Sequence, residues 1–95
     1  MNDTNKNRKF HLKIQSRQGI IFEGDVESVT SYNAKGKFDV LSLHSNFISL
    51  IEKKIIVRND NKIIQDLDID IALLRVKENF AEVYLGIRGG LTETI

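Results

Sequence analysis

The chain has no cysteine, no proline and no tryptophan. Without cysteine, neither a disulfide framework nor a thiolate metal site can form, which suits a reducing compartment. Without proline, the edges of any sheet must be protected by lysines and bulges instead. Long hydrophobic runs are also missing. The longest hold about four apolar residues, as in Ile71 to Leu74, where a membrane-spanning helix needs about twenty. Residues 1–8 are polar and lack the apolar core of a secretory signal, so they read as an N-terminal tail.

What is there fits one small soluble-type domain. Of 95 residues, 41% are hydrophobic and 28% charged, which leaves enough apolar surface for a modest core. Net charge is only +1, so the whole chain has no general pull toward nucleic acid or anionic lipid. The charge is unevenly spread. Residues 1–17 carry +4 and the remainder −3. This reads first as a solvated basic tail and strand, and second as a contact for acidic lipid or protein.

Alternation dominates the pattern. Phe10, Leu12 and Ile14 face one way, with Lys9, His11, Lys13 and Gln15 facing the other. Phe22 and Val26 share a face, but Val29 is off phase, which predicts a bulge or bend near Glu27–Ser28. Turns are expected at Asn33 to Lys37 and at Asn59 to Lys62, and another at Lys77 to Asn79. Phe38 to Leu43, Phe47 to Ile51 and Ile55 to Arg58 read as strands, with a turn or bend at Glu52–Lys54. Leu67, Ile69, Ile71 and Leu73 alternate against Asp66, Asp68, Asp70 and Ala72, with Val76 off phase. Ala81, Val83, Leu85 and Ile87 complete the pattern. No window carries a helical period, so the fold class is all-β, a sandwich or barrel.

Tests for chemistry find no active site. A phosphate-binding loop ending at Gly36-Lys37 would need glycine where Ser31 stands and Ser or Thr where Phe38 stands. A calcium loop starting at Asp66 would need glycine at Ile71 and glutamate at Lys77. The aspartates instead read as the wet face of a strand. His11 and His44 lie far apart, which disfavours a zinc site. Aromatic and basic residues are not interleaved as single-strand nucleic-acid binders require. No catalytic residue, metal ligand or cofactor is expected.

Three segments in order carry a family resemblance. Phe22-Glu23-Gly24-Asp25-Val26-Glu27-Ser28-Val29 is followed by Gly36 to Phe47, which includes Val40-Leu41-Ser42-Leu43-His44. Leu73-Leu74-Arg75-Val76-Lys77-Glu78-Asn79-Phe80-Ala81-Glu82-Val83 completes the set. Together they resemble the β-sandwich domain of the bacterial F-type ATP synthase ε subunit over roughly Phe10 to Gly86. The resemblance implies a ten-strand β-sandwich or flattened barrel over residues 9–88, with a short tail at 89–95.

It also implies a non-catalytic central-stalk subunit supporting proton-driven ATP synthesis. Its partners would be the γ subunit and the polar loops of the membrane c-ring, with no nucleic acid involved. It would sit at the cytoplasmic face of the bacterial membrane, held there only through the complex. By position, Ser16, Arg17, His44, Ser45 and Asn46 would meet γ, while Asn33, Lys35, Gly36 and Lys37 would form the c-ring-facing loop.

The departures sharpen the expectation. Lys35 and Lys37 flank the glycine where the family often has acids. The prolines of the histidine loop are replaced by Ser42 and Asn46. The Gly-Gly before the late hairpin is Ile71-Ala72. The family's inhibitory helical hairpin would follow Gly86, but only Ile87 to Ile95 remain, so the docking role is the part implied. Rival readings are a stand-alone ε-like interaction module with another protein partner, and a small barrel binding nucleic acid or a ligand.

Overall fold

A computed structural model of the chain describes residues 8–42 and 46–86. Seven strands cover almost all of them: β1 (Phe10–Ser16), β2 (Gly19–Val26), β3 (Ser28–Asn33), β4 (Gly36–Leu41), β5 (Phe47–Asn59), β6 (Lys62–Lys77) and β7 (Phe80–Leu85). Their order is β2-β1-β7-β6-β5-β3-β4. Every neighbouring pair is antiparallel except β1 with β7, which run parallel.

The turns follow the local chemistry. The β1–β2 and β3–β4 connections each hold two residues and end on a glycine with positive φ, Gly19 at 136° and Gly36 at 123°. In each, the first residue's side chain accepts a hydrogen bond from the backbone two positions on. Ser16 Oγ accepts from Gln18 N at 3.2 Å, and Asn33 Oδ1 accepts from Lys35 N at 2.9 Å. At the β5–β6 turn, Asp60 and Asn61 both take positive φ, the pattern of a tight turn matched to strand twist.

β5 and β6 form one long ladder that serves both layers of the sandwich. Near one end, β6 passes the sheet on to β7 through Ala72 to Lys77. Near the other, β5 passes it on to β3 through Glu52 to Arg58. The inward side chains of both parts form a single core. Leu12, Ile14, Leu74, Ala81 and Val83 come from one layer, and Val29, Val40, Ile55 and Val57 from the other. All of these are at most 1% exposed.

This long ladder corrects two expectations. Among the described residues there are seven strands rather than ten, because β5 and β6 run on through the change of layer. The turn or bend expected at Glu52–Lys54 is an irregularity inside β5. Glu52 pairs with Ile71 and Lys53 with Ile69, so Asp70 is an extra residue on β6, while Lys53 adopts φ 75° opposite it.

The bulge also moves the phase change. Leu67 and Ile69 pack against the core as the alternation predicts, but beyond Asp70 the buried residues are Ala72, Leu74 and Val76. Ile71 and Leu73 therefore turn to the outer face, against the expectation. The corner expected near Glu27–Ser28 is present. β2 ends at Val26, β3 begins at Ser28, and Glu27 N donates to Arg58 O at 3.1 Å.

Candidate docking surface

The outer face of the β2-β1-β7-β6-β5 layer is read row by row from the pairing register. The first row joins Asp25, His11 and Phe80. His11 Nε2 lies 2.7 Å from Glu23 Oε2, and Nδ1 lies 3.0 Å from Asp25 Oδ1. The ring also stacks on Phe80. Hydrogen bonds to Glu23 and then to Asp25 raise the His11 pKa above its ordinary value, against a smaller opposing effect of desolvation.

The second row carries Lys13 between Glu23 and Glu82, then Arg75, whose Nη1 donates to Glu82 Oε1 at 3.0 Å. It ends on Ile48, which is 65% exposed. The third row is different. It runs Ile20, Gln15, Tyr84, Leu73, Leu50 across the full width of the layer. Ile20 is 56% and Leu50 59% exposed at its two ends. Burial raises the Tyr84 phenol pKa, helped by its hydrogen bond to Glu82. The layer thus grades from a charged end to an apolar band. Such a band is the kind of surface that a protein partner covers.

The other layer's outer face combines a polar network with exposed apolar residues, Leu41 at 53% and Ile63 at 54%. Arg58 Nη1 donates to Thr30 Oγ1 at 2.8 Å, and Thr30 in turn donates to Asp39. Lys54 Nζ lies 3.1 Å from Asp66 and 3.7 Å from Asp68. Asp66, Asp68 and Asp70 are all exposed, as the wet-face reading of that triplet requires.

The expected contact residues fall in separate places. Ser16 and Arg17 form the turn that borders the apolar band. Asn46 lies beyond the opposite, charged end, where its Oδ1 accepts a hydrogen bond from Glu78 N at 2.7 Å. Leu43, His44 and Ser45 lie outside the described residues, as do residues 1–7 and 87–95, Ile87 among them. Asn33, Lys35, Gly36 and Lys37 come together on the β3–β4 hairpin. Between this hairpin and β5 lies an open groove of about 610 Å³, lined by Asn33, Lys35, Ile48 and Leu50 among others.

Sequence reasoning treated His11 only as an exposed polar-face residue. Counting back across the Arg17–Gln18 turn would have set it opposite Gly24, because an irregularity between Ile14 and Gln15 shifts the register by one and brings Asp25 opposite instead. Phe80 could not have been found either, because the parallel β1–β7 pairing leaves no local signal.

The fold and this surface define a small all-β domain with a partly exposed, mostly apolar row on one face. A family model described as the ATP synthase Delta/Epsilon chain, beta-sandwich domain, matches residues 9–84. The chain belongs to that family, whose members are non-catalytic subunits of the synthase. The ATP synthase epsilon chain of Sulfurimonas denitrificans is 31% identical over 86 residues, covering 85% of this chain and 66% of that one. The epsilon chain of Campylobacter curvus is 42% identical over 55 residues, covering 57% and 43%. The chain therefore spans less than two thirds of the length of these relatives.

Among solved structures, a chain of the Euglena gracilis mitochondrial ATP synthase superposes with a TM-score of 0.74 at 15% identity, covering 81% of this chain and 50% of that one. A chain from the central stalk and c-ring of the Tetrahymena thermophila enzyme gives 0.70 at 9% identity, covering 83% and 64%. At such identities the likeness is one of fold.

Proposed function

We propose that this domain is an ε-type central-stalk subunit of an F-type ATP synthase, which docks on γ and meets the polar loops of the c-ring. The carrying observation is the row Ile20–Gln15–Tyr84–Leu73–Leu50, apolar apart from Gln15 and exposed at its two ends, on a domain of this family. An exposed band of that width is stable in water only at a cost, and a partner face would remove it from solvent. Once docked, the domain would sit on the membrane face that bears the F1 sector, with rotation passed through contacts rather than through any chemistry of its own.

The test is co-purification with the γ subunit of the same organism. Wild-type protein retains γ, and Leu73→Asp with Ile20→Asp loses it while the circular dichroism spectrum is unchanged. A well-folded wild-type protein with no affinity for γ overturns the reading.

The Lys35–Lys37 hairpin favours a second reading, that of a stand-alone interaction module. A c-ring loop bearing arginine would meet these lysines with like charge, at a cost of a few kcal/mol per close desolvated pair. A c-subunit loop that carries an acid instead supports the stalk role, and one that keeps arginine supports the module.

A further inference from the structure

Arg58 stands in the row Leu41–Ser28–Arg58–Ile63 across β4, β3, β5 and β6. Its neighbour Val57 is fully buried, so alternation sends Arg58 to the outer face, where it is half-buried. Its Nη1 donates to Thr30 Oγ1, and Thr30 donates its own hydroxyl proton to Asp39. The hydroxyl thus stands between a cation and an anion that form no ion pair with each other. A guanidinium carries a fork of N–H donors. Among the described residues, the bond to Thr30 is the one that this fork makes. Lys54 and Arg75, by contrast, each meet a carboxylate. A half-buried cation carries a desolvation cost, which a bond to a neutral hydroxyl offsets only in part.

The surroundings suit a ligand and narrow its chemistry. Towards β3 the neighbour is Ser28, whose short side chain leaves space beside the guanidinium. Towards β6 it is Ile63, which is exposed. The Thr30 bond holds the fork in place, so less freedom is lost when the remaining donors are engaged. The next row is Asp39–Thr30–Ile56–Asp66, acidic at both ends. A polyanion such as nucleic acid or an anionic membrane, spread over both rows, would be repelled by these acids. A single carboxylate on Arg58 would not reach them.

We propose that Arg58 anchors a second interaction surface, whose occupant is a protein segment presenting one aspartate or glutamate beside an apolar side chain. The carboxylate accepts from the free edge of the guanidinium, in the two-bond geometry that this pair favours. The apolar side chain covers Ile63. A second copy docked about a two-fold axis through this row would bring the two Arg58 side chains together, so the occupant is a different protein. The surface lies on the layer opposite the row Ile20–Leu50. It therefore goes beyond the stalk reading and can be filled while that row is covered.

The test titrates the full isotope-labelled chain with two capped tripeptides, acetyl-Leu-Glu-Leu-amide and acetyl-Leu-Gln-Leu-amide, and with inorganic phosphate. The glutamate peptide shifts the side-chain Nε–Hε resonance of Arg58 and the amide resonances of Ser28, Arg58 and Ile63. It binds at least about fivefold more tightly than the glutamine peptide. Arg58→Gln makes the two peptides equal with an unchanged circular dichroism spectrum. Ile63→Asp, an exposed change that leaves the guanidinium in place, weakens the glutamate peptide by a similar factor. Equal binding of the two peptides by the wild-type chain, or shifts confined to the row Ile20–Leu50, overturns the proposal. So do phosphate shifts as large as those of the glutamate peptide at the same concentration, because the site then takes any small anion. A concentration-dependent dimer that shifts the same resonances overturns it as well, because the occupant is then a second copy.

Discussion

The imidazole of His11 lies flat against the ring of Phe80, with centroids 5.5 Å apart and planes 12° from parallel, although the two come from opposite ends of the described chain. The contact fixes the imidazole where Glu23 and Asp25 can both reach it. The pair thus ties the first strand, the second and the last into one corner.

A pH dependence follows from this corner. The folded-state pKa of His11 is raised above its ordinary value of 6.5. Its charged form therefore contributes stability that is fully present below pH 6.5 and is lost as pH rises through the raised folded value. Solvent screens so exposed a group, so the effect is modest. Urea unfolding between pH 5 and pH 9 should give a stability that declines across that window, and His11→Gln should flatten this part of the profile. Nuclear magnetic resonance titration of the His11 ring should give a lower pKa in Glu23→Gln.

The phase change at Asp70 predicts unequal costs for two adjacent leucines. Leu74 is fully buried, whereas Leu73 lies on the outer face. Leu74→Ala should cost about 2–5 kcal/mol and Leu73→Ala less than about 1 kcal/mol, as measured by urea denaturation. A larger loss at Leu73 would contradict the register.

Much of the fold was legible because its signals are local. Phe10, Leu12 and Ile14, like Ala81 and Val83, alternate without interruption, and all five are buried. The turns at Asn33–Gly36 and Asn59–Lys62 carry their own turn chemistry. The bulge at Asp70 was less visible. Ile71-Ala72-Leu73-Leu74 is apolar throughout, so either parity fits the sequence, and the pairing with β5 decides. The apolar band was hidden for a related reason. Ile20, Tyr84, Leu73 and Leu50 come from four strands and meet only when the whole layer is assembled.

The Thr30 relay should be sensitive to loss of its hydroxyl. Thr30 is 1% exposed, accepts from Arg58 and donates to Asp39. Thr30→Val keeps the shape but leaves both partners without their shared group. The expected cost is about 1–3 kcal/mol by chemical denaturation. Thr30→Ser, which keeps the hydroxyl, should lose less.

The β5–β6 turn offers a gain. Asn61 holds φ 63°, a conformation that glycine adopts more readily. Asn61→Gly should stabilise the domain by up to about 1 kcal/mol. Asn61→Val, β-branched at positive φ, should destabilise it by about 1–3 kcal/mol. Thermal melts of the two variants would check both signs.

The uninterrupted β5–β6 ladder has a mechanical meaning. Two separate sheets facing each other could slide, because side-chain packing between them is non-directional. Here the layers share one set of hydrogen-bonded strands that crosses the bulge at Asp70 without a break in the chain. A sideways load on the outer face of one layer reaches the other through backbone bonds pulled in shear. The domain is therefore stiffest along that shear direction, and the bulge is the place where it would first give.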